Sequence, residues 1–236
     1  MADSPGTVYL VPTPIGNMGD ITTRAIEVLN LVDMIACEDT RNSGNLLKKL
    51  GISKRLISYH EFNERERAHR LAEAVRTGQS IAVISDGGSP GISDPAYRVV
   101  RAAIDNGLPV VALPGPCAII PALTASGLPT DRFFFEGFLS NKSAARRKRL
   151  GQLADLPHTL VFYESPHRVQ KTLADMQEVL GDRPASLARE ISKKFEEYIR
   201  GPLSKITARV SGKSIKGEIV LVVAGTERHK SGDENA

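Results

Sequence analysis

Short apolar segments alternate with amphipathic segments along the first half of the chain. The segment "SIAVIS" at 80–85 is apolar almost throughout, as expected of a strand with both faces covered. Between such segments apolar residues recur every three or four positions, which is typical of helices that pack on a sheet. The predicted strands are 7–11, 33–37, 80–85 and 109–113, and the predicted helices are 20–32, 65–78 and 95–107. This alternation predicts an α/β fold with a mostly parallel sheet.

The second half has a different pattern, in which the apolar segments follow one another more closely. Its predicted strands are 132–139, 158–165, 184–190 and 217–225, with a helix at 168–181 and a mixed strand and helix segment at 196–210. This spacing predicts hairpins and more antiparallel pairing. A segment rich in Gly and Pro, 114–129, separates the halves. We therefore predict two α/β domains, 1–116 and 117–226, followed by a flexible polar tail at 227–236.

The composition narrows the class of protein only slightly. Of 236 residues 41% are hydrophobic and 25% are charged, which is ordinary for a globular protein. The N-terminus has no signal-peptide pattern, and no apolar run approaches the ~18 residues that span a membrane. Cys37 and Cys117 are isolated in the sequence, which favours buried thiols over a zinc site. We expect a cytoplasmic enzyme or binding protein with no membrane attachment.

The positive charge is concentrated in one segment. The net charge is only +4, but "KSAARRKR" at 142–149 carries five positive residues and no negative one. On a helix, Lys142, Arg146 and Arg149 lie on one face, while Arg147 and Lys148 point elsewhere. This face is a candidate surface for an anionic partner. A solvated helix surface is the alternative interpretation of the same charges.

Four loops follow the predicted strands of the first half, and all are rich in Gly, Pro or short polar residues. They are "PTPIGN", "EDTR", "SDGGSPGISDP" and "PGPCA". Ligands of open α/β sheets bind at the carboxyl ends of the strands, so four such loops predict a ligand pocket there. Any one of them alone is explained by an ordinary tight turn. No G-x-G-x-x-G pattern is present, which disfavours a standard dinucleotide site. The segment "HEFNE" lacks the second His of a zinc motif, so no metal is predicted.

Eight segments in this order resemble the tetrapyrrole methylase superfamily, in particular its members that modify ribosomal RNA. They are "LVPTPIGNMGDITTRAIEVL", "IACEDTR", "SYHEFNE", "ISDGGSPGISDP", "LPGPCA", "ASGLPTDRFFFEGFL", "FYESPHR" and "ARE". The resemblance covers about 8–225 and departs at Asn42, where the pattern has His, and at Gly88, where it has Ala. It implies two α/β domains with S-adenosylmethionine in the cleft between them. It also implies a homodimer that methylates the 2′-oxygen of a cytidine near the decoding centre of the small ribosomal subunit.

The cofactor is expected near the Gly-rich loop. Asp86 directly follows a strand, and its carboxylate suits the positive charge of the cofactor, although a helix cap or turn-former is the alternative. Backbone at Gly87, Gly88 and Ser89 can approach a ligand closely. By resemblance, further cofactor contacts are Leu10, Cys117 and Ala118 from the same pocket, and Tyr163, Ala188 and Glu218 from the second domain.

The RNA side of the site is expected on the neighbouring loops. Asp39, Glu61 and His60 are the candidates for the general base that the poorly nucleophilic ribose hydroxyl requires. His60 is equally well explained as a surface or capping residue. The candidate RNA contacts outside the basic segment are Asn17, Arg41 and Arg168, from three separate loops. For Arg41 a structural ion pair with an acidic neighbour is the alternative.

Two other functions fit parts of this pattern. A methyltransferase for a small tetrapyrrole would have the same fold, but the charged loops do not suit a large flat macrocycle. A non-catalytic RNA-binding module would not need the Gly-rich loop, and the chain is only 5% aromatic with no Trp, unlike proteins that stack single-stranded bases. The expected partner is small-subunit rRNA, either free or in the assembled subunit.

Overall fold

The computed structural model describes residues 4–226 and divides into two compact units. The first unit ends at Cys117 and the second begins at Ala118. This division lies one residue after the boundary that the sequence predicts. The predicted tail at 227–236 lies outside the described residues.

The first unit alternates strands and helices. Its elements are β1 (Val8–Leu10), α1 (Thr23–Leu31), β2 (Met34–Cys37), α2 (Thr40–Lys49), β3 (Arg55–Ser58), α3 (Glu64–Arg76), β4 (Ile81–Ile84), α4 (Tyr97–Asp105) and β5 (Val110–Ala112). The described strands form one sheet in the order β3-β2-β4-β1-β5, and every neighbouring pair in it is parallel. The prediction of an α/β fold with a parallel sheet in this half is confirmed.

Helices cover both faces of this sheet. Ile81 and Val83 of β4 belong to the core that α3 and α4 complete. Ala82 and Ile84 belong to the core on the other face, where α1 and α2 pack. Because successive strand residues point to opposite faces, a strand covered on both sides is apolar at every position. This explains the continuous apolar segment in the sequence.

The apolar pattern did not predict α2 and β3. Among the residues of α2, only Ser43 and Leu47 are buried, so its apolar face is too narrow to stand out. The strand β3 lies at the edge of the sheet and contains no fully buried residue. An edge strand has fewer covered side chains than a central one, and its sequence is correspondingly less apolar.

The first helix begins later than predicted. A short 3-10 turn at Met18–Asp20 precedes it, and α1 starts at Thr23. The Thr22 side chain accepts a hydrogen bond from the Ala25 backbone N–H at 3.0 Å. Such a bond satisfies one of the free N–H groups of a helix start, which fixes the start at this residue.

The second unit combines parallel and antiparallel strands. Its elements are α5 (Ile119–Thr124), β6 (Phe133–Phe138), α6 (Ser143–Leu153), β7 (Thr159–Glu164), α7 (Val169–Leu180), β8 (Pro184–Arg189), β9 (Glu197–Pro202), α8 (Leu203–Val210) and β10 (Ile219–Val223). The described strands are ordered β6-β7-β10-β8-β9, and all pairs except β6 with β7 are antiparallel. The predicted shift towards antiparallel pairing is confirmed. Side chains of α6, α7 and α8 pack on one face of this sheet.

Candidate active site

The carboxyl ends of β1 to β5 lie at one edge of the first sheet, because these strands are all parallel. The loops that leave this edge are 11–17, 38–39, 59–63, 85–96 and 113–117. They include the four loops that the sequence predicts to form a ligand site. In folds of this type such an edge is the usual place for a ligand.

Hydrogen bonds join the loops after β1, β4 and β5. Thr13 and Gly88 exchange two backbone hydrogen bonds, of 2.9 and 2.8 Å. The buried Thr13 hydroxyl donates to the Ser85 carbonyl at 3.0 Å, and the Ser89 hydroxyl donates to the Pro116 carbonyl at 3.0 Å. Gly88 has a φ of +91°, a conformation that suits glycine and is strained for other residues. The Gly-rich loop is therefore held in one shape by its neighbours.

Gly115 allows the loop after β5 to lie against the loop after β1. A Cβ atom at this position would lie 2.7 Å from the Cβ of Pro12, which is closer than real carbon contacts. Any larger residue would therefore push these two loops apart. The sequence "PGPCA" is thus explained by close loop packing.

Five described carboxyl groups lie at this edge. Asp39 forms an ion pair with Arg41, and we call the other four the acidic rim: Glu38, Glu61, Asp86 and Asp94. Burial raises the pKa of Glu38, and the charges of Asp86 and Glu61 raise it further. Burial and then the charge of Glu38 raise the pKa of Asp94 to about 6, although a hydrogen bond with Ser85 acts in the opposite direction. These effects place Glu38 within electrostatic range of the other three groups, and Asp94 within range of Asp86.

The acidic rim has little internal neutralisation. No described lysine or arginine forms an ion pair with any of its four carboxylates. Asp86 instead accepts hydrogen bonds from the Asn42 side chain at 2.9 Å and from the Asp39 backbone N–H at 3.4 Å. Several carboxylates held together without a cation destabilise the free protein and favour a positively charged ligand. This charge pattern fits a cationic cofactor.

Asp39, a predicted general base, is the cap of α2. Its carboxylate accepts the Arg41 backbone N–H at 2.7 Å and contacts the Arg41 guanidinium at 3.4 Å. The backbone hydrogen bond from Arg41, with its guanidinium as a second cause, lowers the pKa of Asp39. A lowered pKa makes this carboxylate a weaker proton acceptor than Glu38 or Asp94. The Arg41 side chain itself is 89% exposed, so it is open to a ligand despite this contact.

Asn63 orients the predicted catalytic residue His60. The Asn63 Oδ1 accepts the His60 backbone N–H at 2.9 Å, which leaves its Nδ2 as the donor to His60 Nε2 at 3.0 Å. A neutral His60 therefore carries its proton on Nδ1, an assignment that follows from the hydrogen-bond network. This buried Nδ1 has no hydrogen-bond partner among the described residues. Glu61 is exposed in the same turn.

The other predicted cofactor residues of the first unit lie near the same edge. Gly87 is exposed beside the Pro14 carbonyl, and Ser89 is half-buried. Leu10 ends β1, and Cys117 ends the loop after β5. The structure thus brings these residues to one rim of the first sheet.

The predicted cofactor residues of the second unit lie at two places. Tyr163 and Ala188 both pair with Val220, so the three side chains form one row across β7, β10 and β8. Phe135 lies edge-on to the Tyr163 ring at 5.0 Å. Ala118 lies at the start of α5.

Glu218 lies at the start of β10 and has a different environment. Its side chain is 81% exposed and forms an ion pair with Lys193 at 2.9 Å. Lys193 also pairs with Glu190, whose φ is +53°. Glu218 is therefore part of a surface ion-pair cluster.

The structure corrects the predicted role of Arg146. Its side chain is 3% exposed and contacts the Asp175 carboxylate at 2.5 Å, and its Nη1 donates to the Ser140 carbonyl at 3.0 Å. A guanidinium enclosed in this way cannot reach a phosphate, so the prediction that Arg146 binds RNA is wrong. Of the three residues on the predicted RNA-binding face, only Arg146 contacts α7.

The remaining predicted RNA contacts differ in how free their charges are. Arg149 binds Glu136 through two bonds of 2.7 Å, and Arg168 binds the buried Glu164 at 2.7 Å. Lys142 precedes α6 and is exposed. Asn17 is exposed and accepts the Gly19 backbone N–H at 2.9 Å as the cap of the short turn.

Asp94 was not among the predicted site residues, although it lies in the Gly-rich loop. The preceding residue, Ser93, has a φ of +63°, which is unusual for a residue other than glycine. The segment "SDP" is explained equally well by the start of the following helix, so the sequence did not indicate that the Asp94 carboxyl group belongs to the site. Its proximity to Glu38 depends on β2 and β4 lying side by side, which the sequence does not show.

The arrangement of metal-ligand side chains and the length of the apolar helices bear on metal binding and on membrane insertion. Among residues 4–226, no group of three or more His, Cys, Asp or Glu side chains is arranged to hold a metal ion. No helix in this part of the chain is both long and apolar enough to cross a membrane.

Solved structures with similar folds define the class of protein. Diphthine synthase superimposes with a TM-score of 0.71 at 14% identity, covering 93% of this chain and 90% of the other. Cobalt precorrin-4 methyltransferase superimposes with a TM-score of 0.66 at 16% identity, covering 93% and 94%. This chain therefore has the same α/β fold as these two proteins. The family Tetrapyrrole (Corrin/Porphyrin) Methylases matches residues 7–207, and this chain belongs to it.

More similar relatives are 48–50% identical to this chain over the aligned residues. Ribosomal RNA small subunit methyltransferase I of Micromonospora olivasterospora is 48% identical over 98% of this chain and 74% of its own length. The protein of the same name from Escherichia coli O157:H7 is 48% identical over 99% and 82%. The one from Vibrio cholerae serotype O1 is 50% identical over 92% and 77%.

Proposed function

We propose that the protein methylates the 2′-oxygen of a cytidine in small-subunit (16S) ribosomal RNA near the decoding centre, with S-adenosylmethionine as the methyl donor. The observation that carries this proposal is the 48% identity, over 99% of this chain, to a relative named ribosomal RNA small subunit methyltransferase I. Family membership supports methyl transfer. The acidic rim supports a cationic cofactor, and the exposed Arg41 beside it supports an anionic substrate.

The donor set at the rim fits S-adenosylmethionine, which when bound supplies a methyl group on a positively charged sulfur. Asp86 would offer a carboxylate to the positive charge of this cofactor. Gly87 and Ser89 would offer backbone and hydroxyl contacts, with Leu10 and Cys117 as apolar neighbours. We further propose that Ala118, Tyr163, Ala188 and Glu218 also contact the cofactor, as the family resemblance implies.

A ribose hydroxyl must lose its proton as it accepts the methyl group, so the site requires a proton acceptor. An acceptor works best when its pKa lies near the working pH. Asp94, with a pKa raised to about 6, and Glu38, with a raised pKa, meet this condition better than the helix cap Asp39. Glu61 is exposed in the neighbouring turn and remains a candidate.

His60 is a less favourable proton acceptor. Its Nε2 already accepts a hydrogen bond from Asn63, and protonation of Nε2 would break that bond. A neutral His60 instead has an Nδ1–H donor without a partner among the described residues. Because this donor is buried, we propose that His60 holds the turn at 59–63 in place through its contact with Asn63 and does not touch the substrate.

Arg41, Asn17 and Lys142 are proposed to contact phosphates or sugars of the RNA, because their side chains are exposed. Arg149 and Arg168 could do so only in addition to their carboxylate partners. Such contacts position the RNA without reading its sequence. We further propose that the enzyme acts in the cytoplasm as a homodimer, on free rRNA or on the assembled subunit. That part of the proposal rests on the family resemblance.

Methylation of matched RNAs tests the reaction directly. One small-subunit rRNA fragment would carry cytidine at the modified position, and a second would carry 2′-deoxycytidine at that position. With a labelled methyl donor, the first should become labelled, and the second should bind but remain unlabelled, because it lacks the accepting oxygen. Label on the deoxy substrate would mean methylation of a base. Absence of label on any small-subunit rRNA would refute the proposed function.

Calorimetry tests the cofactor side with two matched variants. Asp86→Asn keeps the shape of the side chain but removes its charge and replaces one of its two acceptor oxygens by a donor, so it should weaken S-adenosylmethionine binding by more than about tenfold. Asn42→Ala removes only the side chain that holds Asp86 and should have a smaller effect. Unchanged affinity in Asp86→Asn would exclude Asp86 from the cofactor site.

A further inference from the structure

A groove lies along the edge of the second sheet, between β9 and α8. Its volume is about 560 Å³, and β9 is the last strand in the sheet order. We call it the β9–α8 groove. It is lined by Glu197, Tyr198, Ile199, Arg200, Lys205, Ala208, Arg209 and Lys213. Four of these eight side chains are positively charged and one is negatively charged.

The cations of this groove have no internal counter-ions. Lys205 and Arg209 are one turn apart on α8, so they lie on the same helix face, and Lys213 follows in the turn after the helix. Within residues 4–226, none of the three forms an ion pair. Glu197, the acidic lining residue, is paired with Arg189 at 3.0 Å.

Arg200 is held in place without losing its charge. Its Nε donates to the Ala125 carbonyl at 2.8 Å, and its guanidinium carbon lies 4.8 Å from the centre of the Tyr198 ring. Neither partner is an anion, so the positive charge remains available to a ligand. A guanidinium that is already oriented loses less conformational freedom on binding phosphate.

The basic segment around α6 differs in this respect. Arg146 and Arg147 both bind Asp175, and Arg149 binds Glu136. Most of the positive charge that is conspicuous in the sequence is therefore neutralised in the fold. The cations of the β9–α8 groove are less clustered in the sequence than those of the basic segment. In the structure, however, more of them lack an ion-pair partner among the described residues.

We propose that the β9–α8 groove binds the phosphate backbone of the rRNA substrate. An open groove with four cations spaced along a strand and a helix suits an extended polyanion, because each cation can meet a separate phosphate. The inference rests on the proposed function, since it assigns a binding surface to the same substrate. It adds a groove of the second unit to the RNA contacts already proposed at Asn17, Arg41 and Lys142.

The test measures the salt dependence of RNA binding. The full chain and the triple variant Lys205→Gln, Arg209→Gln, Lys213→Gln are titrated with unmodified small-subunit rRNA transcript at several salt concentrations. Each lost phosphate contact reduces the slope of log K against log salt by about 0.7–0.9, so the triple variant should lose about 2 units of slope. The Kd should rise by at least about tenfold at 0.15 M salt, and the KM for RNA should rise with it. The affinity for S-adenosylmethionine should stay at the wild-type value.

A control variant separates local contact from net charge. Lys148→Gln, Lys171→Gln, Arg65→Gln removes the same number and types of charge from exposed positions outside the groove. It should change the slope by less than half as much as the groove variant. Circular dichroism of both variants checks that the fold is retained. Equal effects of the two sets would mean long-range attraction and would overturn the groove assignment.

Other results separate this inference from the proposed function. If the wild-type protein methylates rRNA and the groove variant binds it with unchanged slope, the groove assignment is wrong and the function stands. If wild-type protein transfers no methyl group to rRNA, the proposed function fails. If the variant binds free rRNA normally but loses affinity for the assembled subunit, the groove contacts a ribosomal protein, which also contradicts the proposal.

Discussion

Asp94 is a single side chain whose acidity the fold changes strongly. Its pKa is raised from an ordinary 3.8 to about 6 by burial and by the charge of Glu38. The folded protein therefore holds a proton on Asp94 at pH values where the unfolded chain has lost it. The contribution of Asp94 to the free energy of unfolding is greatest below about pH 4 and decreases as the pH rises from about 4 to about 6.

Asp94→Asn should stabilise the protein at neutral pH. Ionisation of Asp94 destabilises the folded protein, and the variant cannot ionise at this position. The increase in the free energy of unfolding should therefore be larger at pH 7.5 than at pH 4. A shift of about two pKa units corresponds to about 3 kcal/mol, and partial exposure reduces this to about 1–2 kcal/mol. Urea unfolding at the two pH values measures the difference.

The control for this substitution is Asp131→Asn, at an exposed position. It should change stability by less than about 0.5 kcal/mol at either pH. A gain in Asp94→Asn that is equal at pH 4 and pH 7.5 would contradict the electrostatic explanation. If Asp94 is the proton acceptor, the stabilised variant should also lose most of its methyl transfer, with kcat lower by about 100-fold.

Helix α6 is positioned by ion pairs with its neighbour α7. Asp175 lies on α7 and accepts from Ser143, Arg146 and Arg147. Its pKa is lowered, because the hydrogen bonds from Arg147, Ser143 and Arg146 outweigh the effect of burial. Three donors from one turn and a half of α6 thus converge on one carboxylate, which fixes the rotation of this helix about its axis.

Arg146→Ala should destabilise the protein by about 1.5–3 kcal/mol, because it removes the buried guanidinium from Asp175, which keeps its hydrogen bonds from Arg147 and Ser143. Arg149→Gln, which breaks a more exposed pair, should cost less than about 1 kcal/mol. Urea unfolding of both variants makes the comparison. The double variant Arg146→Met, Asp175→Leu should recover much of the lost stability, since it removes both buried charges. A loss below about 1 kcal/mol in Arg146→Ala would show that the pair contributes little.

At the scale of the whole molecule, each unit has a five-stranded sheet among the described residues, with protected central strands and less protected edges. All residues of β4 and of β10 are buried. At the edges, β3 contains no fully buried residue, and β9 is at most half-buried along its length. Amide groups exchange with solvent fastest where the backbone opens most easily.

Hydrogen exchange should therefore be slowest in β4 and β10 and at least about tenfold faster in β3 and β9. Binding of the rRNA transcript should slow exchange in β9 and α8, if the groove lies against RNA, and leave β10 unchanged. Mass spectrometry of the exchanged protein follows these segments in parallel. Similar exchange rates in edge and central strands would contradict this picture of the two sheets.

The sequence alone determined the type of fold and most of its elements. Apolar segments of β4 and β10 are readable because burial on both faces requires apolar side chains at nearly every position. Loops rich in Gly and Pro at strand ends predicted the ligand edge, since their backbone conformations are local properties of those residues. The family resemblance rests on the same local segments. The edge strand β3 was not predicted, because its local composition is not distinctly apolar.

The tertiary structure decided which charges are free and which are paired. Arg146 and Arg200 are the same residue type, yet the first is buried against Asp175, while the second lines a groove and forms no ion pair with any residue in 4–226. Likewise Asp39 caps a helix, while Asp94 shares an edge with Glu38 and has a raised pKa. Electrostatic energies depend on the distance between charged groups and on how deeply each group is buried. The groups concerned here are remote from one another in the sequence. Those distances are set by the packing of α6 on α7 and of β2 beside β4, which the order of residues along the chain does not reveal.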